Sequence, residues 1–474
     1  MHAGEERLMV VGEMPEGLDL LVIGAGPGGY TTALEAAAQG RSVTLVDRAG
    51  AEGIGGTCLL EGCIPSKALI EAAELRNRAV TFADSALGFS SGPVDLGRFQ
   101  AWKGGLVSRL SKGVHGALRK AGVQIVAGSF TFTGKARGVI ELGGESPPRH
   151  VEFEDAVIAV GSAAVQIPPV PFDGATVFDA AGILALTELP ERLAVVGGGY
   201  IGIEIGTALR KLGSSVTVVE AADTILPGMP AGAQKQVARR AGRLGIELLT
   251  GRTAQGWDGR RLSIADSSGA TTAVEVDAVL VAVGRRPATG DLGLAEAGIR
   301  VDASGLIPVD AGFRAAPRIA AVGDVVTGPA LAHKAIAEAK IAVRSLCGQS
   351  AALSSTTIPL VVFSDPEVAV TGLTSAAAEA EGLHTRVVRL PLGASGRAAT
   401  MEAAEGSVEL VVDTETDAVI GGVLVGPHAS ELIGEVTLAV EMAASPADLA
   451  LTVHPHPTLS ELVQDTAAAL LPRT

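Results

Sequence analysis

Two stretches of this chain repeat one pattern: an apolar run, a glycine-rich turn, a small-residue segment, then a second apolar run that ends on an acid. The first, LDLLVIGAGPGGYTTALEAAAQGRSVTLVD, puts Gly24, Gly26 and Gly29 at the GxGxxG positions and closes on Asp47. The second, ERLAVVGGGYIGIEIGTALRKLGSSVTVVE, puts Gly197, Gly199 and Gly202 there and closes on Glu220. From first glycine to acid the spacing is 23 residues in both. Each copy reads as a βαβ unit. The first glycine makes the tight turn, the second admits a pyrophosphate and the third lets helix close on strand. The helix start then offers unpaired N–H groups to an anion, and the acid ends where a carboxylate accepts from ribose hydroxyls. One such motif is weak, but two complete copies with matched acids outweigh a reading as ordinary glycine turns. Glu220 is followed by Ala221, Ala222 and Asp223. A 2′-phosphate is repelled by Glu220 and finds no arginine in that turn, so the second site favours NAD over NADP.

The rest of the composition agrees with this architecture. At roughly 150 residues per domain, a chain of 474 residues suggests about three. Its apolar content is 47% with only 3% aromatic, and 61 glycines supply many strand-to-helix turns, a mix that suits doubly wound α/β structure. A net charge of -15 argues against nucleic acid as a partner. No signal peptide, transit peptide or membrane-length apolar run is visible, so the chain reads as cytoplasmic.

Two of the three cysteines, Cys58 and Cys63, stand close together in GGTCLLEGCIPSK. In a reducing compartment a close pair is more often catalytic or metal-binding than structural. Metal ligation wants two further soft ligands nearby, and none appears, so no metal site is expected. A redox dithiol is the better reading. Pro65 suits the first turn of a helix, which puts Cys63 near a helix N-terminus, where the dipole and Lys67 both favour thiolate. Positions five apart lie about 140° around a helix axis, so pairing needs an irregular connection, for which Gly62 is suited. Cys347 reads as a small buried hydrophobe.

Taken together, GAGPGG, GGTCLLEGCIPSK, AVGS at Ala159 to Ser162, GGGYIGIE, VAVGRRP at Val281 to Pro287, AAVGDV at Ala320 to Val325, LAHKA at Leu331 to Ala335 and HPHPTLSE at His454 to Glu461 resemble the pyridine nucleotide-disulfide oxidoreductases over nearly the whole chain. The resemblance implies an α/β fold with two Rossmann-like dinucleotide-binding domains, for FAD and NAD, and a C-terminal α+β dimerisation domain. The implied boundaries are 1–165 for the first part of the FAD domain with the dithiol, 166–284 for the NAD domain, 285–354 for a central domain completing the FAD site, and 355–474 for the interface domain. The implied cofactor contacts are Gly24, Gly26, Gly28, Gly29, Asp47, Gly56, Thr57, Lys67, Phe130, Gly161, Ser162, Gly197, Gly199, Tyr200, Ile201, Gly202, Glu204, Glu220, Gly284, Gly323, Asp324, Leu331, Ala332 and His333. Among these, Asp324 would stand near the ribityl chain, Ala332 would back the flavin ring, and Lys67 would lie by the flavin with Glu204 as its ion-pair partner.

The same resemblance assigns the chemistry. Cys58 would meet the substrate thiol and Cys63 the flavin. His456 would be the base, with Glu461 accepting from its Nδ1–H, while His454 would only pack or hydrogen-bond. The expected reaction is oxidation of protein-bound dihydrolipoamide to lipoamide with reduction of NAD, in a homodimer whose active site is shared across the interface. The expected partner is the lipoyl domain of an acyltransferase of a 2-oxo acid dehydrogenase complex or the glycine cleavage carrier. Alternatives are a glutathione- or mercuric-reductase-like enzyme, or a non-catalytic redox-sensing protein. The chain departs from the family at Leu60 and Glu61, where Asn-Val is usual, and at Val160, where Thr is usual; LPLGASGRAAT at Leu390 to Thr400 matches the interface segment only loosely.

Overall fold

The first repeat folds as strand Glu16–Ile23, helix Pro27–Ala38 and strand Val43–Asp47, and the second as strand Arg192–Val196, helix Tyr200–Leu212 and strand Ser215–Glu220. Both strand pairs are parallel. The structure is a computed structural model that describes residues 15–83, 88–89, 92–144, 146–352 and 357–472; the polar leader through Met14 lies outside the described residues. Two units emerge, each gathered from separated stretches: one from the chain up to Leu60, Val107–Ala163 and the stretch beginning at Arg286, the other from Glu61–Leu106, Ala164–Arg285 and the C-terminal stretch.

In the first unit the central sheet runs Arg314–Ala316, Ile319–Ala321, Arg149–Ile158, Glu16–Ile23, Val43–Asp47, Gln124–Ala127. A hairpin of Ser129–Gly134 and Arg137–Glu141 adds to its flank through Arg149–Ile158. Leu20, Leu21, Val22 and Ile23 are all buried, as expected of a strand covered on both faces, whose sequence is a continuous apolar run. Helices Pro27–Ala38 and Ala332–Leu346 pack together in this unit. Cys347 follows the second helix, half-buried against the same core.

The second unit carries a parallel sheet in the order Glu247–Thr250, Ser215–Glu220, Arg192–Val196, Ala278–Val281, Val177–Phe178. The glycine turn leaves the middle strand, as in the first unit. The same unit holds an antiparallel sheet, Leu360–Val362, Val368–Gly372, Val419–Val425, Ser407–Asp413, Thr385–Pro391. Helices Ala429–Glu441, Pro446–Leu451 and Glu461–Ala468 contribute to one apolar cluster with it, including Leu410, Val436 and Val463. Ser445 and Asp448 close a reciprocal capping box at the start of Pro446–Leu451, which fixes where the chain enters the segment bearing His454 and His456. The fold is thus mixed α/β with two dinucleotide-binding units and a C-terminal α+β part. No helix among the described residues is long and apolar enough to cross a membrane.

Candidate active site

The two glycine turns are near copies at atomic detail. Gly24 has φ +99 and Gly197 φ +109, and a Cβ on either would come within 2.5 Å of the Ala159 carbonyl oxygen or 2.4 Å of the Ala282 carbonyl oxygen. No other residue type tolerates both the angle and the approach. A Cβ on Gly29 or Gly202 would collide with the carbonyl of the first glycine of its own turn. By contrast Gly26 and Gly199 face open space, and each is the N-cap of its helix without a side-chain cap. The first-turn N–H groups therefore border an open cradle, which fits a dinucleotide phosphate. The acids close the arrangement. Asp47 accepts from Ala25 N–H at 2.9 Å and Ala49 N–H at 3.0 Å; Glu220 accepts from Gly198 N–H at 2.6 Å and Ala222 N–H at 2.7 Å.

Cys58 sits half-buried on the short helix Gly56–Leu60, and the exposed Cys63 opens helix Cys63–Thr81 after the break at Glu61 and Gly62. The chain thus bends between the cysteines, and Cys63 starts a helix as its position before Pro65 suggests. Glu61, the departure from the family pattern, is an exposed residue in that bend, while Thr57 is exposed and Leu60 half-buried. One turn into the helix, the Lys67 ammonium meets Glu204 at 2.9 Å. Glu204 is buried, and its other oxygen accepts from Phe363 N–H at 2.9 Å; Lys67 also lies 4.4 Å above the Phe363 ring. Ion pair, backbone donor and cation–π contact together fix the lysine.

His456 is exposed, and its Nδ1 lies 2.8 Å from Glu461 Oε1; the second carboxylate oxygen accepts from Thr458 N–H at 2.7 Å. That backbone bond, with the His456 bond beside it, holds the Glu461 carboxyl below the usual carboxylate range. Ionised Glu461 accepts, so Nδ1 carries the hydrogen and Nε2 is left basic. His454 behaves differently. Its Nδ1 faces the Thr452 carbonyl at 2.9 Å and its Nε2 faces Glu435 at 2.7 Å. Burial pushes this imidazolium down, but Glu435 and the Thr452 carbonyl outweigh it and hold the group above its usual range. With both nitrogens facing acceptors, His454 is poorly placed to take a proton from a substrate.

Residues 18–339 match the family described as pyridine nucleotide-disulphide oxidoreductase, and residues 358–467 match its dimerisation domain. The chain belongs to the pyridine nucleotide-disulphide oxidoreductases. Curated relatives include dihydrolipoyl dehydrogenase 2 of Haloarcula marismortui, 42% identical over 467 residues (97% of this chain and 98% of the relative), and dihydrolipoyl dehydrogenase of Geobacillus stearothermophilus, 40% identical with 98% of each chain covered. Among solved structures, LpdA of Mycobacterium tuberculosis superposes with a TM-score of 0.88 at 30% identity, covering 96% of this chain and all of that one. The HOCl-induced flavoprotein disulfide reductase RclA of Escherichia coli superposes with a TM-score of 0.84 at 27% identity, over 96% of this chain and 100% of that one.

Members of this oxidoreductase family use FAD and NAD(H), and the two open cradles fit two dinucleotides. The remaining family positions fall in recognisable places. Gly323 and Asp324 form a single turn, Gly323–Val325, and Ser162 Oγ donates to the Asp324 carboxylate. Gly28 is packed against Val322, Ala335 and Ala159, so its smallness serves helix packing. Gly161 and Gly284 both have positive φ with open space where a Cβ would stand. Leu331 caps helix Ala332–Leu346, which places Ala332 and the exposed His333 in its first turn. Tyr200 and Ile201 occupy the first turn after Gly199, Tyr200 being exposed. Phe130 lies in the core, edge-on to Phe132 at 4.8 Å between centroids. Val160 packs half-buried against the same core.

Sequence reasoning did not single out Phe363, Glu435, Lys334 or Glu338. Phe363 acts across 159 residues, and Glu435 reaches His454 from helix Ala429–Glu441, neither with a local signal. Lys334 and Glu338 do carry one, an i,i+4 pairing of opposite charges on a helix.

Proposed function

We propose that this oxidoreductase oxidises protein-bound dihydrolipoamide to lipoamide and reduces NAD to NADH, the activity that names its curated relatives. The observation that carries this reading is the His456–Glu461 bond at 2.8 Å on an exposed imidazole, in a chain that also carries a closely spaced dithiol at a helix start. A redox sensor has no use for an oriented base. Residues 1–165 and 285–354 serve FAD, 166–284 serve NAD, and 355–474 form the interface of a homodimer.

Nε2 of His456 takes the proton from one dihydrolipoamide thiol, and Glu461 steadies the imidazolium that results. The substrate thiolate attacks Cys58 Sγ of the oxidised dithiol, the Cys58–Cys63 bond breaks, and Cys63 leaves as thiolate. The second substrate thiol then attacks the sulfur already joined to Cys58, and its proton passes to the departing Cys58 sulfur, which leaves as a thiol. That closes the lipoyl ring and releases Cys58. The helix start favours the Cys63 thiolate throughout. FAD, held by the first glycine turn and Asp47, would supply the two-electron chemistry that links the dithiol to NAD at the second turn. In the dimer each His456–Glu461 pair serves the dithiol of the other copy, so a monomer is inactive. The substrate arrives on a lipoyl domain of a 2-oxo acid dehydrogenase acyltransferase or on the glycine cleavage carrier, in the cytoplasm.

Steady-state assays that pair dihydrolipoamide with NAD, and glutathione disulfide with NADPH, test this reading. NADH formation from dihydrolipoamide and NAD supports it; turnover only with glutathione disulfide and NADPH sinks it.

A further inference from the structure

Lys334 and Glu338 are each only 2% exposed in their side chains and meet at 2.8 Å on one face of helix Ala332–Leu346. Taking two ions out of water is costly, and their mutual attraction repays this only when further hydrogen bonds use their remaining capacity. Here each partner makes a further bond to the same residue. The Lys334 ammonium donates to the Gly323 carbonyl at 3.0 Å, and the second Glu338 oxygen accepts from the Gly323 N–H at 2.7 Å. Gly323 itself stands at φ +84, and a Cβ there would come within 3.3 Å of the Ala335 Cβ. Further along the same loop Gly328, at φ +112, leaves room for the lysine stem: a Cβ would approach Lys334 Cε to 2.6 Å. Helix and loop are thus cut to fit the pair.

The residue that follows Gly323 is Asp324, whose carboxylate accepts from Ser162. Its backbone position depends on a left-handed glycine whose N–H and C=O are both tied to buried charges. We propose that Lys334–Glu338 is a positioning pair for Asp324, fixing the single turn that presents this carboxylate to the flavin. The inference rests on the reading of Asp324 as a flavin-facing group. Both side chains are buried, so the pair acts through the peptide on the N-terminal side of Asp324.

The test is FAD affinity, measured by flavin fluorescence quenching as FAD is added to the full-length apoprotein, with the visible circular dichroism of the bound flavin as a second readout. Lys334→Met strands a buried carboxylate and is expected to raise the FAD dissociation constant about tenfold or more and to alter the dichroism. Glu338→Gln keeps shape and an oxygen for the Gly323 N–H, so it is expected to have a smaller effect in the same direction. It carries the test alone if Lys334→Met does not fold. Lys334→Met combined with Glu338→Gln removes the stranded charge and is expected to recover part of the loss. Melting temperatures that fall while FAD affinity and dichroism stay at wild-type values overturn the proposal, since a purely structural pair gives that result. Asp324→Asn separates this from the underlying reading. If it leaves FAD affinity intact, the flavin-facing role of Asp324 fails; if it weakens binding while the Lys334 and Glu338 variants do not, the positioning role alone fails.

Discussion

The two dinucleotide turns share every backbone requirement and differ in what surrounds them. In the first, the chain returns to its own turn: Gly55 N–H donates to the Ala25 carbonyl at 2.9 Å, and a Cβ on Gly56 would come within 2.6 Å of Gly26 Cα. The segment that covers the turn is the one that carries Cys58 two residues later. Pro27 begins the helix there. In the second, the exposed Tyr200 stands at that position, and the return contact is Leu226 N–H to the Gly198 carbonyl at 2.7 Å, from a segment without chemistry-bearing side chains. One duplicated scaffold thus carries the Cys58 segment against its first turn and an aliphatic segment against its second. On the proposed function the first turn serves FAD and the second NAD.

Cys63→Ser is expected to lower dihydrolipoamide-dependent NADH formation about 10⁵-fold, as loss of a covalent-catalysis residue does, while FAD stays bound; the ratio of flavin to protein absorbance checks the second half. His456→Gln is expected to cost about 10²- to 10⁴-fold in kcat with both nucleotides bound normally, because the base belongs to neither turn. Glu461→Gln leaves the imidazole in place but loses its anionic acceptor, and a drop of about tenfold to a hundredfold in kcat is expected, smaller than for His456→Gln.

Glu220→Ala frees the Gly198 and Ala222 N–H groups and is expected to raise KM for NAD about tenfold, with flavin content unchanged. Asp47→Ala in the first unit is expected to lower flavin content instead. If both variants affected the same cofactor, the division between the units would fail. The smallest effect concerns stability. The His454 pKa is raised in the folded chain, so its bond to Glu435 contributes fully below the unfolded value of about 6.5. The contribution is lost as pH rises through the folded value. The melting-temperature gap between the native chain and His454→Gln should therefore be widest in mildly acidic buffer and close at alkaline pH.

Much of this was legible because the requirements are local. GxGxxG followed 23 residues later by an acid specifies strand, turn, helix and strand from contacts within the unit. Glu461 lies five residues after His456, so their bond could be read from the segment alone. The Lys67–Glu204 pair spans 137 residues and rested on family resemblance. Phe363, 159 residues from Glu204, was invisible because its contribution is a backbone N–H and a ring face, neither of which marks a sequence. Phe130 shows the converse: its edge-on contacts with Phe132 and Phe153 explain an aromatic residue there through core packing alone. Lys334 and Glu338 had a readable spacing, yet only the fold reveals that the i,i+4 pair is buried rather than solvated.

On the proposed mechanism the Cys58–Cys63 dithiol carries electrons from a lipoyl thiol toward NAD. Anaerobic rapid mixing of the FAD-loaded protein with dihydrolipoamide and NAD, following NADH and long-wavelength flavin absorbance together, tests it most directly. A transient long-wavelength band, from a thiolate beside the flavin, is expected to form before NADH accumulates and to be absent in Cys63→Ser. NADH formation by Cys63→Ser at the native rate, or none by the native protein while glutathione disulfide and NADPH turn over, would contradict it.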